Sequence, residues 1–129
     1  MQPAITLNRT NIVLYCRRWQ ETVLFYREQL AFPVSFENDW FVEFVLTGDT
    51  YLSVADSRRA SVRDVHGQGI TFTWRVADLA AAQAQLTRRG IETTAIRRRW
   101  GALVLYCYDP EGHRLELWQE IGSEFPSSR

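Results

Sequence analysis

The feature that most restricts this chain is an order of hydrophobic periods that occurs twice. A β-rich run over residues 11–16 is followed by apolar residues at helical spacing over 19–30. There Trp19, Val23, Tyr26 and Leu30 share one face, Glu21, Arg27 and Glu28 lie off it, and Pro33 stops the helix. Three short alternating runs come next, at 34–37, 40–46 and 51–55, divided by the turn pairs Asn38-Asp39 and Gly48-Asp49. The same order then returns. Residues 70–76 read as a strand, and Asp78 as the N-cap of a helix through Arg89 that has Leu79, Ala82 and Leu86 on one face and Gly90 beyond its end. Arg88 and Arg89 suit the negative end of that helix. Residues 93–98, 102–108 and 113–119 read as three further strands. The chain is therefore two βαβββ units of roughly 60 residues each, which makes it α+β. We expect a single domain over 1–129, with repeat one at about 8–56, a linker at 57–69, repeat two at about 70–121 and a polar, frayed tail at 122–129.

Composition narrows the function classes. With 15 Lys+Arg against 15 Asp+Glu the formal net charge is zero, so no global field recommends a nucleic acid or an anionic membrane. Every basic residue is arginine, which removes lysine bases and Schiff-base chemistry and leaves planar guanidinium groups suited to carboxylate or phosphate. Cys16 and Cys107 each sit in an apolar run and read as two buried free thiols, which suits a reducing cytoplasm. The start of the sequence lacks a basic segment followed by a long apolar run, and no uncharged stretch approaches the roughly 18 residues of a membrane span. A soluble, intracellular protein is the expectation.

The stretch Asp109-Pro110-Glu111-Gly112-His113-Arg114-Leu115-Glu116-Leu117-Trp118-Gln119 reads as a turn feeding a strand, because Pro110 presets the turn and Gly112 can take a positive φ. Alternation puts Leu115 and Leu117 on one face and Arg114, Glu116 and Trp118 on the other. That carboxylate is either an edge decoration or the floor of a polar pocket.

Three local patterns resemble the vicinal oxygen chelate superfamily, which takes in glyoxalase I, extradiol dioxygenases and the fosfomycin- and bleomycin-resistance proteins. Phe25-Tyr26-Arg27 with Leu30-Ala31-Phe32 looks like the family's first helix and its exit, although Ala31 stands where a glycine is usual. Val76-Ala77-Asp78-Leu79 with Leu86 and Gly90 looks like the entry to the second helix and that helix itself. Asp109-Pro110-Glu111-Gly112 leading to Leu115-Glu116-Leu117 looks like the last hairpin and strand, and is the most specific of the three. The resemblance covers residues 11–119 and implies that each unit curls into a half-barrel with its helix on the convex side. Alternation then turns Asn11, Val13 and Tyr15, Tyr51, Ser53 and Ala55, Thr71, Thr73 and Arg75, and Arg114, Glu116 and Trp118 into the concavity. The strands at 34–37, 40–46, 93–98 and 102–108 cannot be phased this way.

In metal-binding members of that superfamily four inward positions supply ligands, and by resemblance they fall on Asn11, near Ser53, on Thr71 and on Glu116. Only the last is a competent ligand for a divalent transition metal, so the resemblance implies a degenerate metal site and no cofactor. His113 is three residues from Glu116 and so on the opposite strand face, and His66 lies in a glycine-flanked loop; both read as exposed turn residues. Gly67-Gln68-Gly69 precedes a strand where a dinucleotide fingerprint would follow one. The run Arg97-Arg98-Arg99-Trp100 could grip phosphate and stack on a base, but it reads as a solvated hairpin end, being too short for a nucleic-acid groove.

Two functions are open. One is a metal-free binding protein of the bleomycin-resistance type, holding a small organic ligand among Asn11, Tyr15, Tyr51, Ser53, Thr71, Thr73, Arg75, Arg114, Glu116 and Trp118, with a stock of aromatics that includes Trp40, Trp74, Trp100 and Tyr106. The other is a glyoxalase-, lyase- or dioxygenase-like enzyme that uses Glu116 as metal ligand or general base. A weaker third is a module serving a protein partner. An arginine, Arg75 or Arg114, is expected beside Glu116. A homodimer is expected because curled half-barrels leave strand edges to cover.

Overall fold

The computed structural model describes residues 1–121; the tail expected to fray, 122–129, lies outside the described residues. The chain divides into two compact units, Met1–Val65 and His66–Arg129. Unit 1 holds β1 (Thr10–Cys16), α1 (Trp19–Leu24) with a π-helical turn over Phe25–Gln29, β2 (Val34–Glu37), β3 (Phe41–Thr47) and β4 (Thr50–Asp56). Unit 2 repeats the order with β5 (Thr71–Arg75), α2 (Leu79–Arg88), β6 (Arg97–Arg99), β7 (Ala102–Tyr108) and β8 (Arg114–Glu120). Each unit forms one open, mixed, four-stranded sheet, ordered β1-β4-β3-β2 and β5-β8-β7-β6, with its first and last strands parallel. Both sheets are half-barrels with a helix on the convex side, as the resemblance implies.

In unit 1 the helix-facing side of the sheet carries Leu14, Cys16, Val42, Phe44, Leu52 and Val54, all buried, under Val23, Phe25 and Tyr26. Tyr26 lies 5.9 Å from Phe44 and 5.1 Å from Phe25, ring to ring. Trp19 anchors the helix start by donating its indole N–H to the Val54 carbonyl at 2.9 Å. The predicted helix over 19–30 keeps its span but not its winding. Leu30 N–H bonds back five residues to Phe25 at 2.9 Å, and the wider turn brings Phe25 onto the buried face beside Tyr26. Past the helix end Ala31 has a φ of 59°. This left-handed position costs an L-residue about 1–2 kcal/mol, and it explains why the motif usually has glycine there. Ala31→Gly is expected to stabilise the protein by about 0.5–1 kcal/mol, the strain relieved exceeding the added freedom of the unfolded chain; urea titration of the two proteins checks this.

In unit 2 Leu79, Leu86 and Ile91 are buried over Phe72, Leu105, Cys107, Leu115 and Leu117. Asp78 caps α2 by accepting from Ala81 N–H at 3.0 Å, and Gln119 of β8 accepts from Leu79 N–H at 2.8 Å, tying the helix start to the sheet. The strand expected at 93–98 is reduced to Arg97–Arg99. Side chains satisfy backbone carbonyls before it: Gln83 Nε2 and Thr93 Oγ1 donate to the Thr94 carbonyl at 3.3 and 2.9 Å, and Thr94 Oγ1 donates to the Ala95 carbonyl at 3.3 Å. His113 is not the exposed turn residue its position suggests. It is 4% exposed, with Nδ1 2.8 Å from Asp109 Oδ2, because the carboxylate folds back into its own turn; His66 is exposed as expected.

Candidate functional site

The side of each sheet away from its helix carries the predicted site residues. In unit 1, the β1–β4 and β3–β4 registers place Asn11 opposite Tyr51, Tyr15 opposite Ala55, and Glu43 opposite Ser53. Ser53 Oγ donates to Asn11 Oδ1 at 2.9 Å, and Asn11 Nδ2 approaches Glu43 at 3.4 Å. Glu43 also accepts from Ser35 Oγ and from the Arg9 guanidinium, each at 2.7 Å, and Arg9 lies 3.6 Å above the centre of the Tyr51 ring. Partial burial works to raise the Glu43 pKa, but the Ser35 hydroxyl and Arg9 outweigh it and hold the carboxyl below its ordinary value. Asn11, Ser53 and Tyr51 are thus drawn into one polar cluster. Its centre, Glu43, escaped sequence reasoning, because a bulge between Val45 and Thr47 shifts the β3–β4 pairing and spoils parity counted through the hairpin.

In unit 2, Thr71, Thr73 and Arg75 pair with Arg114, Glu116 and Trp118 respectively, and Tyr106 of β7 lies opposite Glu116. Glu116 is 7% exposed. Its burial on β8, an inner strand of the sheet, is at odds with an edge decoration. The Tyr106 hydroxyl donates to Glu116 Oε2 at 3.2 Å. The arginines expected beside Glu116 reach other partners: Arg114 Nε donates to Thr71 Oγ1 at 3.0 Å with its guanidinium 4.5 Å above the Tyr106 ring, and Arg75 is 3.3 Å from Glu120 and 5.8 Å from the Trp118 ring centre. Thr73, facing the same way, is exposed. Tyr106 was visible as an aromatic but not as a partner of Glu116, since its phase depends on the register across the Asp109–His113 turn.

Matching the two units by their registers aligns the pair Glu43–Ser53 with Tyr106–Glu116. Each repeat therefore keeps one carboxylate in the same cross-strand pair, but on opposite strands of it. Next to the unit 2 face an open groove of about 360 Å³ runs between residues 67–70 and Thr71, Gly112 and Arg114. Of its lining, Thr71 and Arg114 are among the residues expected to hold a ligand, whereas the loop at 67–70 is not.

The metal-ligand positions implied by the resemblance can be tested on these contacts. Asn11 and Ser53 use their oxygens on each other, and the Thr71 hydroxyl already accepts from a guanidinium, whose positive charge opposes a divalent cation. A single carboxylate, Glu116, completes the set. These residues do not fit a transition-metal site. Thiol chemistry is disfavoured as well: burial, reinforced by the charge of Asp109, pushes the Cys107 thiol up to about 11. No helix among the described residues is long and apolar enough to cross a membrane.

Comparison with known proteins places this geometry. A structure of a glyoxalase/bleomycin resistance protein/dioxygenase from Nocardioides superposes with a TM-score of 0.79 at 19% identity, covering 98% of this chain and 92% of that one. TnmS3, an antibiotic binding protein from a Streptomyces species, gives 0.75 at 19% identity over 92% and 99% of the two chains. A lactoylglutathione lyase from Agrobacterium tumefaciens gives 0.70 at 18% identity over 97% and 100%. At these identities the likeness is one of fold. No curated protein matches the sequence. The model of the Glyoxalase/Bleomycin resistance protein/Dioxygenase superfamily matches residues 7–117, and the chain belongs to that superfamily.

Proposed function

We propose that this protein binds a small organic molecule without a metal, holding it against the inward face of the unit 2 sheet. The observation that carries the reading is the state of the family's ligand positions: Asn11 is hydrogen-bonded to Ser53, and Thr71 to Arg114, which leaves Glu116 as the one anionic donor. The unit 2 face supplies what an organic ligand needs. Trp118 and Tyr106 offer rigid apolar surface at little entropic cost, and Glu116, Arg114 and Arg75 offer polar groups that set orientation. In unit 1, Asn11, Ser53, Ser35, Arg9 and Glu43 largely satisfy one another, which favours a structural part for that cluster. An antibiotic binding protein among the structural neighbours is in keeping with sequestration as the mode of action. A homodimer in a reducing cytoplasm completes the proposal: strands β1, β2, β5 and β6 are sheet edges, Ile12, Phe36 and Ile70 are exposed on or beside them, and Cys16 and Cys107 are free. Light scattering at micromolar concentration reports the dimer.

Purified protein is expected to hold no stoichiometric Zn, Fe, Ni or Mn after chelator washing, and to keep its ligand affinity through that treatment. Near-equimolar metal that disappears in Glu116→Ala would refute the proposal. One observation favours a catalytic alternative, namely a buried carboxylate hydrogen-bonded by a tyrosine hydroxyl, which could serve as a general base. Turnover of a glyoxalase, lyase or dioxygenase substrate by wild type but not by Glu116→Gln would establish it.

A further inference from the structure

We infer that the ligand carries an oxyanion, a carboxylate or phosphate, and that Arg114 receives it at the groove bounded by residues 67–70. The inference rests on the binding role proposed for this face and adds the ligand's chemical class and a further subsite.

Three observations lead to it. The first is how Arg114 is held. Arg9, Arg27, Arg58 and Arg75 each reach a carboxylate, whereas the contacts of Arg114 are with two neutral groups, the Thr71 hydroxyl and the face of the Tyr106 ring. The Nε–H bond and the ring beneath fix the guanidinium plane without neutralising its charge, and they leave its terminal nitrogens for two parallel bonds to an oxyanion.

The second is charge. Strand register puts Arg97 opposite Val104 and Arg99 opposite Ala102, on the same side as Trp118 and Glu120. Four arginines, Arg75, Arg97, Arg99 and Arg114, therefore share the inward side with two glutamates, Glu116 and Glu120. In a chain of zero net charge this excess is local, and it favours an anion.

The third is space. Arg114 borders a groove of about 360 Å³ in which Gln68 and Thr71 are the other polar side chains, and a Cβ built on Gly69 meets nothing within 4 Å. The loop backbone is thus open to a flat group. Tyr106 links the subsite to Glu116, to which its hydroxyl donates, so a ligand with its anion at Arg114 could present a hydroxyl or amine towards Glu116.

Benzoate, phenyl phosphate and the neutral benzamide serve as probes, titrated against ¹⁵N-labelled protein while the Arg114 Nε–H and the amides of Gly67, Gln68 and Gly69 are followed. At least one of the two acids is expected to shift these signals at concentrations where benzamide does not. Its affinity should fall at least tenfold in Arg114→Gln and less in Arg114→Lys, which keeps the charge but loses the fork. The tighter acid tells carboxylate from phosphate. Equal binding of benzamide and the acids at this face would overturn the oxyanion and leave the binding role standing; silence of all three probes across the face would count against both. Should Arg114→Gln fail to fold, as judged by circular dichroism, a Kd for the acid in wild type that does not weaken with added salt would overturn the inference just as well.

Discussion

Replacing Asp109 by alanine is expected to cost about 3–5 kcal/mol, because several buried hydrogen-bond donors lose their acceptor at roughly 1–3 kcal/mol each. This residue closes the turn into β8 from its centre. One carboxylate oxygen accepts from the backbone N–H groups of Glu111, Gly112 and His113, each at 3.0 Å, and the other faces the His113 imidazole at 2.8 Å. The Asp109 side chain is fully buried and that of His113 nearly so, hence water cannot replace what the alanine removes. Asp109→Asn keeps one acceptor oxygen and should lose about 1–2 kcal/mol, close to the net worth of a hydrogen bond or two. Chemical denaturation of wild type, Asp109→Ala, His113→Ala and the double variant would give the pair's coupling energy, expected above about 1 kcal/mol. An alanine variant within 1 kcal/mol of wild type would mean that the turn holds itself by its backbone bonds.

Gly67→Ala is the second large effect, expected to destabilise by about 2–4 kcal/mol from overpacking added to a left-handed backbone. Gly67 has a φ of +73°, and a Cβ there would sit 2.4 Å from both Gly112 C and His113 N. Those are backbone atoms of the turn that Asp109 pins, so neither can yield without breaking its bonds. The packing is reciprocal, since a Cβ on Gly112 would come within 2.9 Å of the His66 carbonyl oxygen. Gly69→Ala is the control: it shares the positive φ but meets open space, and should cost only about 1 kcal/mol. Denaturation midpoints and hydrogen exchange at the Gly112 and His113 amides would separate the two variants. Because the same loop bounds the groove, Gly67→Ala should also weaken binding of the acid probe, whereas Asp109→Asn should not.

The two repeats suggest how one architecture can redistribute its chemistry. The cross-strand pair on the inward face holds a carboxylate in both units, from β3 as Glu43 in the first and from β8 as Glu116 in the second. In unit 1 the surrounding hydroxyl, amide and guanidinium groups close around the carboxylate. In unit 2 an aromatic hydroxyl holds it and the nearby guanidinium of Arg114 is directed to a threonine and a ring face. The second arrangement leaves recognition chemistry next to a groove, which is why the function is proposed there.

The sequence by itself determined the architecture. Periods of 3.6 and 2 residues, recurring in the same order and cut by Pro33, Gly90 and the Asp109–Gly112 turn, leave little choice but two βαβββ units. Alternation along β8 correctly separated Leu115 and Leu117, under the helix, from Glu116. These are properties of contiguous residues, set by local geometry. What only the tertiary structure decided are the partnerships between strands. Glu43 with Ser53, Tyr106 with Glu116 and Arg114 with Thr71 depend on register, and a one-residue bulge or an unphased loop reverses a face without changing the pattern of either strand. His113 shows the same limit at shorter range: four residues from Asp109, it looks like a solvated turn residue until the carboxylate folds back and buries it. The π-helical turn that carries Phe25 onto the core and leaves Ala31 left-handed is likewise invisible to a 3.6-residue count, because one extra residue in a single turn changes which side chain reaches the sheet while the overall apolar stripe survives.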